Sequence, residues 1–346
     1  MTFNSLILIW FDKNKRNLPW RNQRDPYRIW LSEIILQQTR VAQGTAYYLN
    51  FIEKFPTVSD LANASEQEVL KLWQGLGYYS RARNLHFTAK YIVNELNGKF
   101  PDHFKDLLKL KGVGEYTAAA IASMAFGEAV PAIDGNVFRV FSRYFNIHQD
   151  ISLPATKKYF SELGKEIIDR NRPGDFNQAV MELGATVCTP VNPKCEICAV
   201  NESCEALAQK TVQLLPIKSK KVKIRERNLH FLEITDNENY LIKKRTGNDV
   251  WKNLYNFPIL ELNENEKIED EFNRLQLENV QRTFQEIHIL THQRLKITFW
   301  QSVTPAEKLK ILSEKLGAEI VSFEELEELP LPRPMEKYIN NKSINH

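Results

Sequence analysis

Outside one seventeen-residue window this chain of 346 residues has no cysteine. A disulfide framework spreads its cysteines along the chain, so this is not a stapled secreted domain. Long hydrophobic runs are missing as well: no stretch approaches the roughly 18 apolar residues of a membrane span. The N-terminal cluster Leu6–Phe11 is short, lacks a small-residue cleavage site and runs directly into DKNKR. There is no internal repeat. These absences point to a globular, cytoplasmic protein with no membrane partner.

What is present fills that frame. A hydrophobic content of 43%, with 11% aromatic residues, is enough to build real cores, and the length allows two domains. The net charge of +3 is unevenly placed. Residues 1–212 hold 25 Lys and Arg against 22 Asp and Glu, residues 213–227 six against one, and the remainder 15 against 20. The basic surplus lies where a polyanion can dock.

Residues 1–205 carry apolar positions at three and four spacing, broken by turn signals at Phe55-Pro56, Gly98, Gly112 and Pro173-Gly174. This predicts an all-α domain over 1–212. The stretch QLLPIKSKKVKIRER (213–227) has little periodicity and reads as an exposed basic linker. Beyond it, LHFLEIT, NYLIKKR and RLKITFW read as strands, and the stretches near 266–277 and 306–317 as helices, giving an α+β domain over 228–346. The acidic run Glu324–Leu329 reads as a solvated helix face.

Four motifs carry chemistry. In LSEIILQQTR, Glu33 lies two turns into a helix that Asp25-Pro26 can start, beside Ile29, Trp30, Leu36 and Gln37. Such neighbours desolvate a carboxyl and raise its pKa, as a general acid requires; an ordinary helix-surface glutamate is the plainer alternative. In LLKLKGVGEYTAAAIA, Gly112 and Gly114 separate two helices and allow a hairpin that aims backbone N–H groups at a phosphate, although such a turn alone need bind nothing. Asp134 in VPAIDGNVFRV can simply cap the helix after it, or can face a positive charge developing on a sugar. Cys188, Cys195, Cys198 and Cys204, spaced C-x6-C-x2-C-x5-C, suit zinc or a [4Fe–4S] cluster. The spacing departs from the paired knuckles of a zinc ribbon, which favours iron–sulfur.

LPWR (18–21), LSEIILQQTRV (31–41), LWQGLGYYSRARNL (72–85), the Gly-Val-Gly hairpin, IDGNV (133–137) and the cysteine ladder together resemble the MutY family of adenine DNA glycosylases. The wider superfamily, endonuclease III included, shares the hairpin, the aspartate and the cysteines. Its lyases carry a lysine nucleophile where this chain has Tyr116. The resemblance implies a helix-hairpin-helix glycosylase domain with an iron–sulfur loop at 188–204, followed by a Nudix-like domain that reads the opposite base. It implies removal of adenine from double-stranded DNA containing A:8-oxoguanine or A:G mispairs, by a monomer. Glu33 would protonate adenine and Asp134 would stabilise the oxocarbenium-like sugar, with Tyr116 and Asn136 hydrogen-bonding these groups. Trp20, Arg21, Leu36 and Gln178 would line the adenine pocket. Gln37 or Gln38 with Thr39, and Tyr78, would fill the gap left by the flipped base, with one of Tyr78 and Tyr79 expected to be core instead. VWKNLYNFP (250–258) matches the family's strand-turn aromatic motif, and Thr291 and His292 would contact the lesion. Two departures stand out. Leu290-Thr291-His292 replaces Phe-Ser-His, and Lys111 stands where proline often precedes the hairpin. The cluster would pin its loop and present Lys194 to DNA. The competing readings are an endonuclease III-like pyrimidine-lesion glycosylase and lyase, and a non-catalytic metal-stabilised DNA-binding protein.

Overall fold

The computed structural model describes residues 2–21, 23–219, 224–263 and 266–343. The chain divides into two compact units, Met1–Asn63 with Asn84–Lys220, and Ala64–Arg83 with Lys221–His346.

The first unit is helical. Asp25 caps the helix Pro26–Leu36 by accepting from Tyr27 N, and proline occupies the first turn, as the sequence predicts. The helix Glu115–Phe126 packs against it, and its Ala118, Ala119, Ala120 and Ala122 are all fully or almost fully buried. Side chains this small let two helices approach closely, and that approach brings Tyr116 to Glu33. The N-terminal helix Phe3–Asn14 lays Phe3, Ile7 and Phe11 on the helix Pro173–Thr186, in a core with Phe141, Phe160 and Phe176. Each such side chain contributes about 1.5–3 kcal/mol through burial.

The second unit is built on a mixed seven-stranded sheet. Its strands are β1 (Arg225–Thr235), β2 (Asn239–Lys244), β3 (Tyr255–Asn256), β4 (Ile259–Glu261), β5 (Gln281–Ile289), β6 (Gln293–Val303) and β7 (Glu319–Ser322). The order is β3-β2-β1-β6-β5, with β4 also pairing β1 and β7 pairing β2. β1 and β6 run parallel, in register from Arg225 opposite Gln293 to Thr235 opposite Val303. Alternation along β1 sends Leu232 and Ile234 to one face, under the helices Ile268–Leu275 and Ala306–Leu316. Phe231 faces the other way and stacks on Phe299, which stacks in turn on Tyr338 of the helix Arg333–Ser343. The α+β pattern follows the sequence reading, and Ser322 begins the short acidic helix with a capping box.

Two features depart from the expected organisation. The C-terminal unit takes in residues 64–83, which the sequence reading assigned to the helical domain. Gln74 Oε1 accepts from Leu331 N at 3.0 Å, Tyr79 donates to Leu331 O at 3.2 Å and Arg83 to Lys252 O at 2.8 Å. The expected exposed linker 213–227 is also shorter than its composition suggests. Leu215 is buried, its carbonyl accepting from Arg143 Nε at 3.1 Å, and β1 already begins at Arg225. Residues 220–223 of that stretch lie outside the described residues.

Candidate active site and cluster loop

Glu33 is 8% exposed, on the buried face of its helix beside Ile29 and Trp30. Burial pushes its carboxyl up to about 7; a hydrogen bond with Tyr116 opposes this and the nearby Asp134 carboxylate reinforces it. Tyr116 is shifted well upward by burial and then by Glu33 and Asp134, and its hydroxyl reaches Met181 Sδ at 3.2 Å. The plain alternative for Glu33, an exposed helix position, does not describe this residue.

Asp134 does cap the helix Gly135–Tyr144, and it stands beside Glu33 and Tyr116 as well. Its Oδ1 accepts from Asn136 N at 2.9 Å and Val137 N at 2.8 Å, while Oδ2 accepts from Asn136 Nδ2 at 2.7 Å. Burial raises its pKa, and the Val137 and Asn136 donors pull it back.

Arg139, which spacing did not single out, extends this chain of bonds. Its Nη2 donates to Asn136 Oδ1 at 2.7 Å and to Gly184 O at 2.7 Å, and its Nε to Cys188 O at 2.7 Å. One buried guanidinium thereby ties the Asp134 partner to the start of the cysteine loop. Gly184 is required for the approach, since a Cβ there would lie 2.7 Å from Asn136 Cβ.

The four cysteines line one cavity, together with Val140, Leu183 and Val200. Arg143 orders the loop, donating to Thr189 O at 2.8 Å and Pro190 O at 3.3 Å and approaching Cys188 Sγ at 3.4 Å. Burial pushes the Cys198 thiol up to about 11, and the neighbouring cysteines add to the shift. Thiols in such a place ionise on binding a cationic centre, and four cysteines around one cavity fit a [4Fe–4S] cluster. Cys198→Ser is expected to lose most bound iron, read as iron content per chain and visible absorbance.

The remaining candidates fall in three places. In the first unit, Arg21 forms a buried ion pair with Glu182 at 2.5 Å, Arg16 joining the same carboxylate at 2.6 Å. Arg21 and Gln178 line a cavity of about 480 Å³. Trp20 packs edge-on against Tyr48, Leu36 ends the Glu33 helix, and Gln37 Nε2 donates to Thr117 Oγ1 at 3.3 Å. Gln38 takes a left-handed φ of 57°, and Thr39 N closes that turn onto Leu36 O at 3.2 Å.

At the hairpin, Gly112 has φ 81° and Gly114 begins the next helix with no side-chain cap, leaving that helix N-terminus open. A Cβ at Gly112 would lie 2.8 Å from Asn84 Cβ. Gly112→Ala is therefore expected to destabilise the protein by about 1–3 kcal/mol, seen as a lowered Tm. Lys111, just before the turn, is tied to the helix Ser80–Glu95: its carbonyl accepts from Thr88 Oγ1 at 2.8 Å, and its Nζ rests over the Phe87 ring.

In the second unit, Tyr78 is 47% exposed at φ 49°, whereas Tyr79 is core. Tyr78 and Thr291 are joined through their hydroxyls, and with His292 they line a cavity of about 530 Å³. The loop Cys188–Cys204 leaves Lys194 exposed.

Comparison with known proteins agrees with this geometry. Residues 31–167 match the HhH-GPD superfamily of base excision DNA repair proteins, 188–204 the iron-sulfur binding domain of endonuclease III, and 230–341 the NUDIX domain. The adenine DNA glycosylase of Buchnera aphidicola subsp. Acyrthosiphon pisum is 32% identical, over 99% of this chain and 98% of the relative. That of Buchnera aphidicola subsp. Schizaphis graminum is 40% identical over 74% of each chain, and the human adenine DNA glycosylase is 48% identical over 59% of this chain and 39% of the relative. Among solved structures, a thermostable thymine-DNA glycosylase covers 60% of this chain and 95% of its own at 33% identity, with a TM-score of 0.55. No helix among the described residues is long and apolar enough to cross a membrane. A buried acid beside Tyr116 and Asp134, an iron–sulfur loop, and a relative matched along nearly the whole chain lead to one conclusion: this chain belongs to the adenine DNA glycosylase family.

Proposed function

We propose that this protein removes adenine paired with 8-oxoguanine, or with guanine, from double-stranded DNA, and that it acts as a cytoplasmic monomer. The observation that carries the reading is Glu33, a buried carboxyl with its pKa raised to about 7 and with Tyr116 and Asp134 beside it. Near neutral pH such a group holds a proton and can give it up, as a general acid must.

In the proposed reaction the target nucleotide leaves the stack. Glu33 donates its proton to adenine N7. The C1′–N9 bond then breaks with its electron pair going to adenine, which departs neutral. Asp134, ionised and oriented by Asn136, stabilises the cationic sugar, and water adds at C1′ with loss of a proton. Tyr116 orients Glu33. Trp20, Arg21, Leu36 and Gln178 hold the base, with Arg21 fixed in place by Glu182. Gln37, Gln38, Thr39 and Tyr78 fill the gap in the duplex. The open helix end at Gly112 to Gly114 binds backbone phosphate without reading sequence. Thr291 and His292 contact the opposite base. Cys188, Cys195, Cys198 and Cys204 hold the [4Fe–4S] cluster, which when bound cross-links the loop that also carries Lys194. Arg139, bonded both to Asn136 and to the Cys188 carbonyl, acts as a positioning residue for Asp134.

The test is single-turnover base release from duplexes carrying A:8-oxoguanine or an oxidised pyrimidine, with alkali revealing abasic sites and borohydride trapping any Schiff base. Adenine release without a trapped adduct supports the reading. Pyrimidine release with a trapped adduct overturns it in favour of a lyase.

A further inference from the structure

The turn that carries Thr291 and His292 is held from β1 by two different contacts. Arg225 N donates to His292 O at 2.9 Å, and Leu290 N closes the turn onto Gln293 O at 2.8 Å. The second contact is a side-chain network. Arg227 grips Glu261 through both carboxylate oxygens at 2.8 and 2.7 Å, donates to Gln293 Oε1 at 3.0 Å, and lies 3.4 Å from Asp249 Oδ1. The side chains of Arg227 and Asp249 are only 11% and 13% exposed. Asp249 also pairs with Arg245, whose guanidinium lies over the Trp251 ring, and Trp251 packs near His288. Asp249, Trp251, His288 and Gln293 line the same cavity as Tyr78 and Thr291.

The Arg227 guanidinium, largely covered and gripped by Glu261 and Asp249, is held from two sides and so offers the Gln293 amide oxygen a fixed donor. Gln293 is the only one of these partners that belongs to the turn. We propose that Arg227 is a positioning residue for reading the opposite base: through Gln293 it fixes Thr291 and His292, and so sets the discrimination between 8-oxoguanine and guanine. This rests on the reading that Thr291 and His292 face that base.

The test compares the wild type with Gln293→Leu and Gln293→Glu. Affinity is measured for duplexes in which a non-cleavable 2′-fluorinated adenosine lies opposite 8-oxoguanine or guanine, and adenine release is measured at saturating enzyme. Gln293→Leu removes the acceptor and is expected to lower the 8-oxoguanine to guanine affinity ratio about tenfold, the scale of one hydrogen bond to a charged group. The saturated release rate on A:8-oxoguanine should stay near wild type. Gln293→Glu keeps an oxygen facing Arg227 and should retain the ratio. An unchanged ratio in Gln293→Leu overturns the proposal, as does an equal loss in both variants with a lowered Tm. A wild type that releases adenine without preferring 8-oxoguanine removes the underlying reading, and this outcome is visible before any variant is made.

Discussion

Glu33→Gln is expected to slow adenine release by about 10²–10⁴-fold, the usual contribution of a general acid, while DNA affinity stays near wild type. Glutamine preserves the shape of the side chain and its capacity to hydrogen-bond Tyr116, and removes only the transferable proton. The same substitution has a second consequence that separates a functional acid from a structural one. Glu33 is raised from 4.5 to about 7, so the folded state binds its proton more tightly than the unfolded chain. Stability from this group is fully present below the unfolded pKa and is lost as pH rises toward and through 7. At alkaline pH the ionised, buried carboxylate costs about 3 kcal/mol on this shift. Glu33→Gln should therefore combine slowed release with, above pH 7, more resistance to thermal unfolding than the wild type. Parallel loss of activity and stability would contradict the assignment.

Asp134→Asn is expected to give the second large effect, about 10²–10³-fold on the single-turnover rate, comparable to removing one preorganised electrostatic group. Asparagine is itself a good helix cap, so the bond to Val137 N can persist and the helix Gly135–Tyr144 should hold. What disappears is the negative charge that, on the proposed reaction, faces the sugar. Asp134→Ala would remove both, costing a further ~1 kcal/mol of stability through the lost cap. Comparing the two variants by rate and by Tm separates the capping role from the electrostatic one. Equal rates for wild type and Asp134→Asn would show that Asp134 only caps.

Much of this arrangement could be read from the sequence because it is written in local spacing. Asp25-Pro26 announces a helix start, Glu33 sits at a fixed distance inside it, and the glycines of the hairpin and the four cysteines lie close together in the chain. Of the strands of the second unit, β1, β2 and β6 were legible from their β-branched and aromatic residues, whereas β3, β4, β5 and β7 were not singled out that way. What spacing could not convey were bonds from side chains to distant backbone. Arg139 meets the Cys188 carbonyl forty-nine positions away, and nothing in FRVFSRY distinguishes it from a surface arginine. Glu182 neutralises Arg16 and Arg21 from 166 and 161 positions further along the sequence. The attachment of residues 64–83 to the C-terminal unit rests largely on carbonyls and amides such as Leu331 O and N, which every residue possesses. Tyr78 and Tyr79 are identical in composition; only the backbone, left-handed at Tyr78, sends one outward and the other into the core.

On the proposed reading, the buried Glu33 carboxyl stores the proton that adenine receives. The most direct test of this is the pH dependence of single-turnover adenine release from an A:8-oxoguanine duplex at saturating enzyme. Protonated Glu33 and ionised Asp134 together are the active form, so the rate should fall as pH rises through about 7, the pKa of Glu33, and fall again at acid pH as Asp134 takes up a proton. A rate that stays constant well above that value would contradict the account.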